Sequence, residues 1–191
     1  MGFLLALAIA GIENEGLIPI FMRDPASISQ IHPLAGFSSN LGALLWTACA
    51  ATCLFSHMVL RDSLNKGEIA RFLLCSGLLT TMLLLDDFFL LHDFIYPQYL
   101  GINEKAVLLG YGGILLVWLL AFRRIILRTD YWLLLISLGF FTLSIGVDGL
   151  QSLIDALIGD LRILLEDGFK LFGIVGWLGY FMKCSLIAIR Q

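Results

Sequence analysis

Five stretches of this chain, at residues 35–60, 72–96, 106–122, 131–157 and 161–189, are predominantly apolar. Each is close to or above the ~20 residues with which a helix crosses ~30 Å of hydrocarbon. The fifth is interrupted by charge near its start. At that depth no water is available to backbone N–H and C=O groups, and a helix satisfies them within its own segment. The chain is therefore predicted to be all-α, an integral membrane helical bundle whose first partner is the lipid bilayer. Composition agrees, with 59% hydrophobic and 14% charged residues against ~45–50% and ~25% in ordinary soluble domains. A length of 191 residues suits a single transmembrane domain spanning 1–191. The net charge of −3 argues against a nucleic-acid partner.

The N-terminal segment leaves the helix count open between five and six. Residues 2–11 and 17–22 are apolar, with Glu13, Asn14 and Glu15 between them. No basic region precedes the first run, as a signal peptide would require, so residues 1–22 read as a first spanning or half-spanning helix. Residues 23–36, with Pro25, Ser27, Ser29 and Pro33, read as a loop.

Orientation follows from the basic residues, which are retained on the cytoplasmic side. Arg61, Lys66 and Arg71 lie in one short loop and Arg123, Arg124 and Arg128 in another, whereas the opposing loops carry only Lys105 and Arg162. The C-terminus, with Lys183 and Arg190, is predicted to be cytoplasmic. The acidic residues then gather toward the outer face.

The segment 83–93, Leu-Leu-Leu-Asp-Asp-Phe-Phe-Leu-Leu-His-Asp, places four ionisable groups where each costs at least ~2.5 kcal/mol in lipid. At ~100° per residue, Asp86 and Asp93 fall about 20° apart on one face, two turns from each other, with Asp87 and His92 on its flanks. Asp148 and Asp155 share the same seven-residue spacing, near Ser144 and Ser152, and Glu166 and Lys170 are an i,i+4 pair able to form an ion pair. The candidate binding site for a cation or for protons is Asp86, Asp87, His92, Asp93, Asp148, Glu166 and Lys170. Carboxylates crowded at low dielectric hold protons, bind a cation or are neutralised by Lys170. A divalent metal ion is the candidate cofactor, with Asp87, His92, Asp148 and Glu166 as its ligands. The bland alternative is a buried polar network that only holds helices together.

Cys49, Cys53 and His57 form a second stripe, four residues apart, with Cys75 and Cys184 at comparable depth. A soft metal or a haem would use such a stripe, but free cysteine more often packs as a small hydrophobe. Gly173, Gly176, Gly179, Gly139 and Gly146 read as sites of close helix approach.

Three function classes fit these features. The first is cation binding or proton relay, for transport or sensing of a small solute, although no internal repeat of the kind transporters carry is evident. The second is a membrane metalloenzyme acting on a lipid. The third is an accessory or assembly subunit bound to a partner membrane protein. No His-Glu-x-x-His, phosphate loop or Gly-x-Ser-x-Gly element is present. Asp86-Asp87 looks superficially like the aspartate-rich motif of membrane prenyltransferases, but Leu90 stands where a further acid is expected. The superfamily of alkaline ceramidases and adiponectin-type receptors uses a His pair in its last helix, and no His follows His92 here.

The patterns at 85–93 (Leu-Asp-Asp-Phe-Phe-Leu-Leu-His-Asp), 100–105 (Leu-Gly-Ile-Asn-Glu-Lys) and 165–173 (Leu-Glu-Asp-Gly-Phe-Lys-Leu-Phe-Gly) resemble a group of small bacterial multi-spanning membrane proteins, cyanobacterial ones among them. The resemblance covers roughly residues 83–180 and implies a shared helical fold, a shared acidic motif and a bacterial inner or thylakoid membrane, but no activity.

Overall fold

The computed structural model describes residues 2–14, 16–63 and 65–190. Glu15 and the Glu13 side chain lie outside the described residues, so the two N-terminal carboxylates cannot be added to the acidic set. The chain divides into two compact units, Met1–Phe37 and Ser38–Gln191.

The first unit holds α1 (Gly2–Glu13), α2 (Leu17–Met22) and α3 (Pro25–Ser29). At 1.5 Å per residue α1 is about 18 Å long, short of the ~30 Å hydrocarbon layer. The single helix expected over 1–22 is thus two shorter ones. Within the expected loop, Asp24 starts α3 by accepting a 2.8 Å hydrogen bond from the Ala26 N–H, with Pro25 at the first helical position.

The second unit is built on α4 (Phe37–Leu60), α5 (Gly67–Phe89), α7 (Glu104–Ile126), α8 (Tyr131–Gly149) and α10 (Leu161–Arg190). Among the described residues these are the five helices long and apolar enough to cross a membrane, and the apolar N-terminal helix is shorter than they are. Short α6 (Tyr96–Leu100) and α9 (Gln151–Ile158) lie in the connections. The spans alternate in direction. At one end His57 meets the Ala70 carbonyl at 2.9 Å, Lys66 reaches the Ala188 carbonyl at 3.0 Å, and Thr129 meets the Tyr180 hydroxyl at 2.9 Å. Arg61, Arg71, Arg123, Arg124 and Arg128 belong to this basic end. The opposite end collects nine carboxylates, from Asp86 to Asp167, against only Lys105, Arg162 and Lys170.

The core is aromatic. Trp177, 1% exposed, packs its indole 5.2 Å from the Phe181 ring and 5.7 Å from Trp118, between centroids, and lies edge-on to Trp46 at 6.3 Å. Burying indoles in a bundle requires partners for their N–H groups. Trp177 donates to the Thr80 hydroxyl at 3.0 Å and Trp118 to the Ser76 hydroxyl at 3.2 Å, and both hydroxyls donate in turn to carbonyls one helical turn back on α5.

Close approach is confined to particular glycines. A Cβ on Gly173 would stand 2.7 Å from the Phe141 ring and one on Gly176 3.1 Å from the Ser137 Cβ, and the Ser137 hydroxyl donates to the Gly173 carbonyl at 2.6 Å. These contacts lock α10 against α8. Gly139, Gly146 and Gly179, expected to act likewise, face open space, whereas Gly77, pressed on Leu54 and Cys53, is a site of close α4–α5 approach.

Two expected spans are broken. The run 131–157 divides at Leu150, putting Asp155 on α9 and off the Asp148 stripe. The run 72–96 ends at Phe89, because Leu90 adopts a left-handed conformation (φ 52°, ψ 44°), followed by one π-helical turn, Leu91–Ile95. That conformation costs a non-glycine residue ~1–2 kcal/mol. Leu90 is 51% exposed and so has little packing to lose. Leu90→Gly is expected to leave the unfolding temperature in detergent unchanged or raised, whereas Leu91→Gly, inside the turn, lowers stability by about 1 kcal/mol. Equal losses at both positions would contradict the strained turn.

Candidate functional site

The reversal at Leu90 brings the chain back over the end of α5. The Asp86 carboxylate accepts a 3.1 Å hydrogen bond from the His92 backbone N–H and meets His92 Nδ1 at 2.5 Å, while Tyr111 of α7 donates its hydroxyl to the same carboxylate at 2.6 Å. His92 Nε2 lies 3.0 Å from Asp93. The imidazole thus bridges a carboxylate that is 7% exposed and one that is 51% exposed. Both ring nitrogens face carboxylate oxygens, and the doubly protonated ring donates to both. Its hydrogen bonds to Asp86 and then Asp93 outweigh burial and raise the His92 pKa to about 10. The His92 bond holds the Asp93 carboxyl below its ordinary range.

The raised value has a consequence for stability. The folded state binds the His92 proton more tightly than the unfolded chain. The resulting stabilisation is therefore complete below about pH 6.5 and lost as pH rises toward about 10. The unfolding temperature of wild type should fall across that window by on the order of 5 °C, as a coupling of a couple of kcal/mol implies for a chain of this size. His92→Gln should flatten the dependence, and an unchanged slope in that variant would remove His92 as its source.

Asp87, one residue along α5, pairs with Lys170 of α10. The Glu166–Lys170 pair expected within α10 does not form, since Lys170 reaches across to the more deeply buried Asp87. Glu166 turns instead to Arg162, which also holds Asp155 at 2.7 Å. Ser144 of α8 donates to the Glu166 carbonyl at 3.0 Å. Among the described residues Asp148 has no hydrogen-bond or ion-pair partner and is half-buried.

Asp86, Asp87, His92, Asp93 and Lys170 are therefore brought together, Glu166 lies at the rim through Arg162, and Asp148, near Glu166 and Arg162, is unpaired among the described residues. Of the proposed metal ligands, Asp87, His92 and Glu166 are drawn into separate pairings with Lys170, with Asp86 and Asp93, and with Arg162, and Asp148 joins none of them. Among the described residues no three His, Cys, Asp or Glu side chains are arranged to hold a metal ion. Cys49 and Cys53 are fully buried core residues of α4, His57 is engaged by the Ala70 carbonyl, and Cys75 is exposed.

The Asp87–Lys170 pair faces two hollows. One, of ≈ 190 Å³, is polar and bounded by Ser38, Ser39, Asp93, Glu166 and Asp167. The other, of ≈ 210 Å³, runs into the bundle and is walled by Trp46, Leu83, Leu115, Phe141 and Trp177, with Asp86, His92 and Tyr111 also on its lining. Tyr111 was absent from the sequence-derived set. Its signal was present, a lone hydroxyl beside Gly110 and Gly112 in an otherwise apolar span. By its position in the sequence Arg162 reads only as a loop charge, although it precedes Glu166 by one helical turn. No curated protein and no solved structure matches the chain. The chain belongs to the family described as a domain of unknown function (DUF8692), whose model matches residues 1–184.

Proposed function

We propose that this integral membrane protein is a proton-linked binding protein for a small solute, acting in transport or in sensing. The observation that carries the reading is His92, held between exposed Asp93 and buried Asp86 at the mouth of the inner hollow. Ionisable groups in this setting relay protons in membrane proteins. The Nδ1 proton of the imidazolium moves to Asp86, rotation of the neutral ring turns the vacated nitrogen to Asp93, and a proton arriving at Asp93 passes to that nitrogen and restores the imidazolium. The titratable groups around this path are Asp87 on α5, Tyr111 on α7, and Glu166, Asp167 and Lys170 on α10. With Lys and Arg concentrated at the far end of the bundle, the site faces the exterior and the C-terminus the cytoplasm.

Nitrogen-15 histidine NMR in lipid nanodiscs tests the reading, with the His92 signals identified by their loss in His92→Gln. Wild-type His92 should be an imidazolium at about pH 8, with N–H protons that exchange with water through Asp93. Asp93→Asn should keep the bond to Asp86 and slow that exchange by at least about tenfold, one factor of ten corresponding to ~1.4 kcal/mol of barrier. A neutral His92 at that pH, or exchange indifferent to Asp93→Asn, would reduce the cluster to a fixed polar network serving assembly.

A further inference from the structure

The inner hollow of ≈ 210 Å³ combines features that select a ligand. Apolar cavities of about 150 Å³ are already large enough to take up a benzene ring, and this one is below the ~300–1,000 Å³ of drug-sized sites. Its walls include Trp46 and Phe141, stacked 9° from parallel at 5.7 Å, and Trp177 edge-on to both. The α7 wall has room at Gly112, where a Cβ would meet no atom within 4 Å.

The polar end restricts the head group. Two carboxylates, Asp86 and Asp87, face two cations, His92 and Lys170, so the lining charges cancel. A ligand carrying net charge would bring an unpaired ion into a site of low dielectric. Hydrogen-bonding capacity is nevertheless left over. Among the described residues the Lys170 ammonium, which has three N–H donors, bonds only Asp87 Oδ1, and Asp87 Oδ2 has no hydrogen-bond partner. A hydroxyl can donate to the second oxygen and accept from the ammonium.

We infer that this hollow is a binding site for an uncharged, ring-bearing amphiphile with a hydroxyl head, taken from the bilayer, its ring among Trp46, Phe141 and Trp177 and its head at Asp87 and Lys170. The inference names the solute of the proton-linked site and rests on that reading for its functional meaning. The binding itself is read without any proton measurement.

The test uses the full chain in nanodiscs with fluorine-labelled tryptophan, whose resonances at Trp46 and Trp177 report the hollow and at exposed Trp132 the lipid. The probes are 4-propylphenol and its charged congeners 4-propylbenzoate and 4-propylbenzylammonium. The phenol should shift Trp46 and Trp177 saturably and leave Trp132 in place, with each charged probe binding at least about tenfold more weakly. Gly112→Leu, which fills the hollow from α7, should abolish the shifts. Leu108→Trp serves the same end if that variant does not fold. Absence of a saturable shift, equal affinity for a charged congener, or persistence of the shifts in a folded filled variant would overturn the inference. Phenol binding together with failure of the Asp93→Asn exchange test would remove the proton linkage and leave the binding site. The reverse outcome would remove only the ligand.

Discussion

Lys170→Met is expected to destabilise the bundle by about 3 kcal/mol, the low end for a broken buried ion pair. Asp87, whose side chain is 10% exposed, is left as a charge without a partner. The low end applies because the Lys170 side chain is 40% exposed, which screens the pair. The effect is asymmetric. Asp87→Asn leaves a long lysine stem whose head can reach water through the polar hollow, and a loss of about 1 kcal/mol is expected. The double variant Asp87→Leu, Lys170→Met removes both charges and should return close to wild type. Unfolding of all four proteins in one detergent closes the cycle, with Lys170→Met lowering the unfolding temperature by on the order of 6–12 °C. Equal effects of the two single variants would mean that Asp87 is not sequestered and that the pair does not divide the two hollows.

Trp177→Ala should cost a similar amount, about 3 kcal/mol. Lipid tails are as apolar as the indole's neighbours, so the loss comes from vacated packing and not from transfer out of water. Four aromatic neighbours at 5.2–6.3 Å lose their partner, and the Thr80 hydroxyl loses its donor. Trp177→Phe should retain most of the packing and lose about 1 kcal/mol with the hydrogen bond. Trp132→Ala, at a residue 62% exposed, should be neutral within ~0.5 kcal/mol. Because Trp177 lines the inner hollow, its truncation also enlarges the space offered to a ligand. A Trp177→Ala protein as stable as wild type would show that α10 does not organise the core.

The sequence offers Lys170 as a neutraliser of the acidic set without choosing Asp87, and it gives Trp177 no particular neighbours. Helical periodicity placed Asp86 and Asp93 on one stripe only if the helix continued beyond Leu90, and no glycine or proline before Pro97 signalled a break. The break is supported by tertiary contacts, with Asp86 bonding the His92 backbone and Tyr111 of another helix fixing Asp86. The choice of Arg162 over Lys170 as the partner of Glu166 has the same origin. An i,i+4 pair is worth ~0.2–0.5 kcal/mol, too little to compete with a buried carboxylate on α5.

Depth within the bundle was legible from the linear order of residues, because apolar runs of about membrane thickness leave charged residues near one end or the other. The five spans, the basic end and the acidic end all follow from that bookkeeping. Azimuth was not, since which side chains meet depends on where helices bend and how closely they approach, and Leu90, Gly77 and Gly173 set those contacts through packing that no single segment encodes. The hollow behind Asp87 and Lys170 exists only because α4, α5, α7, α8 and α10 leave space among them.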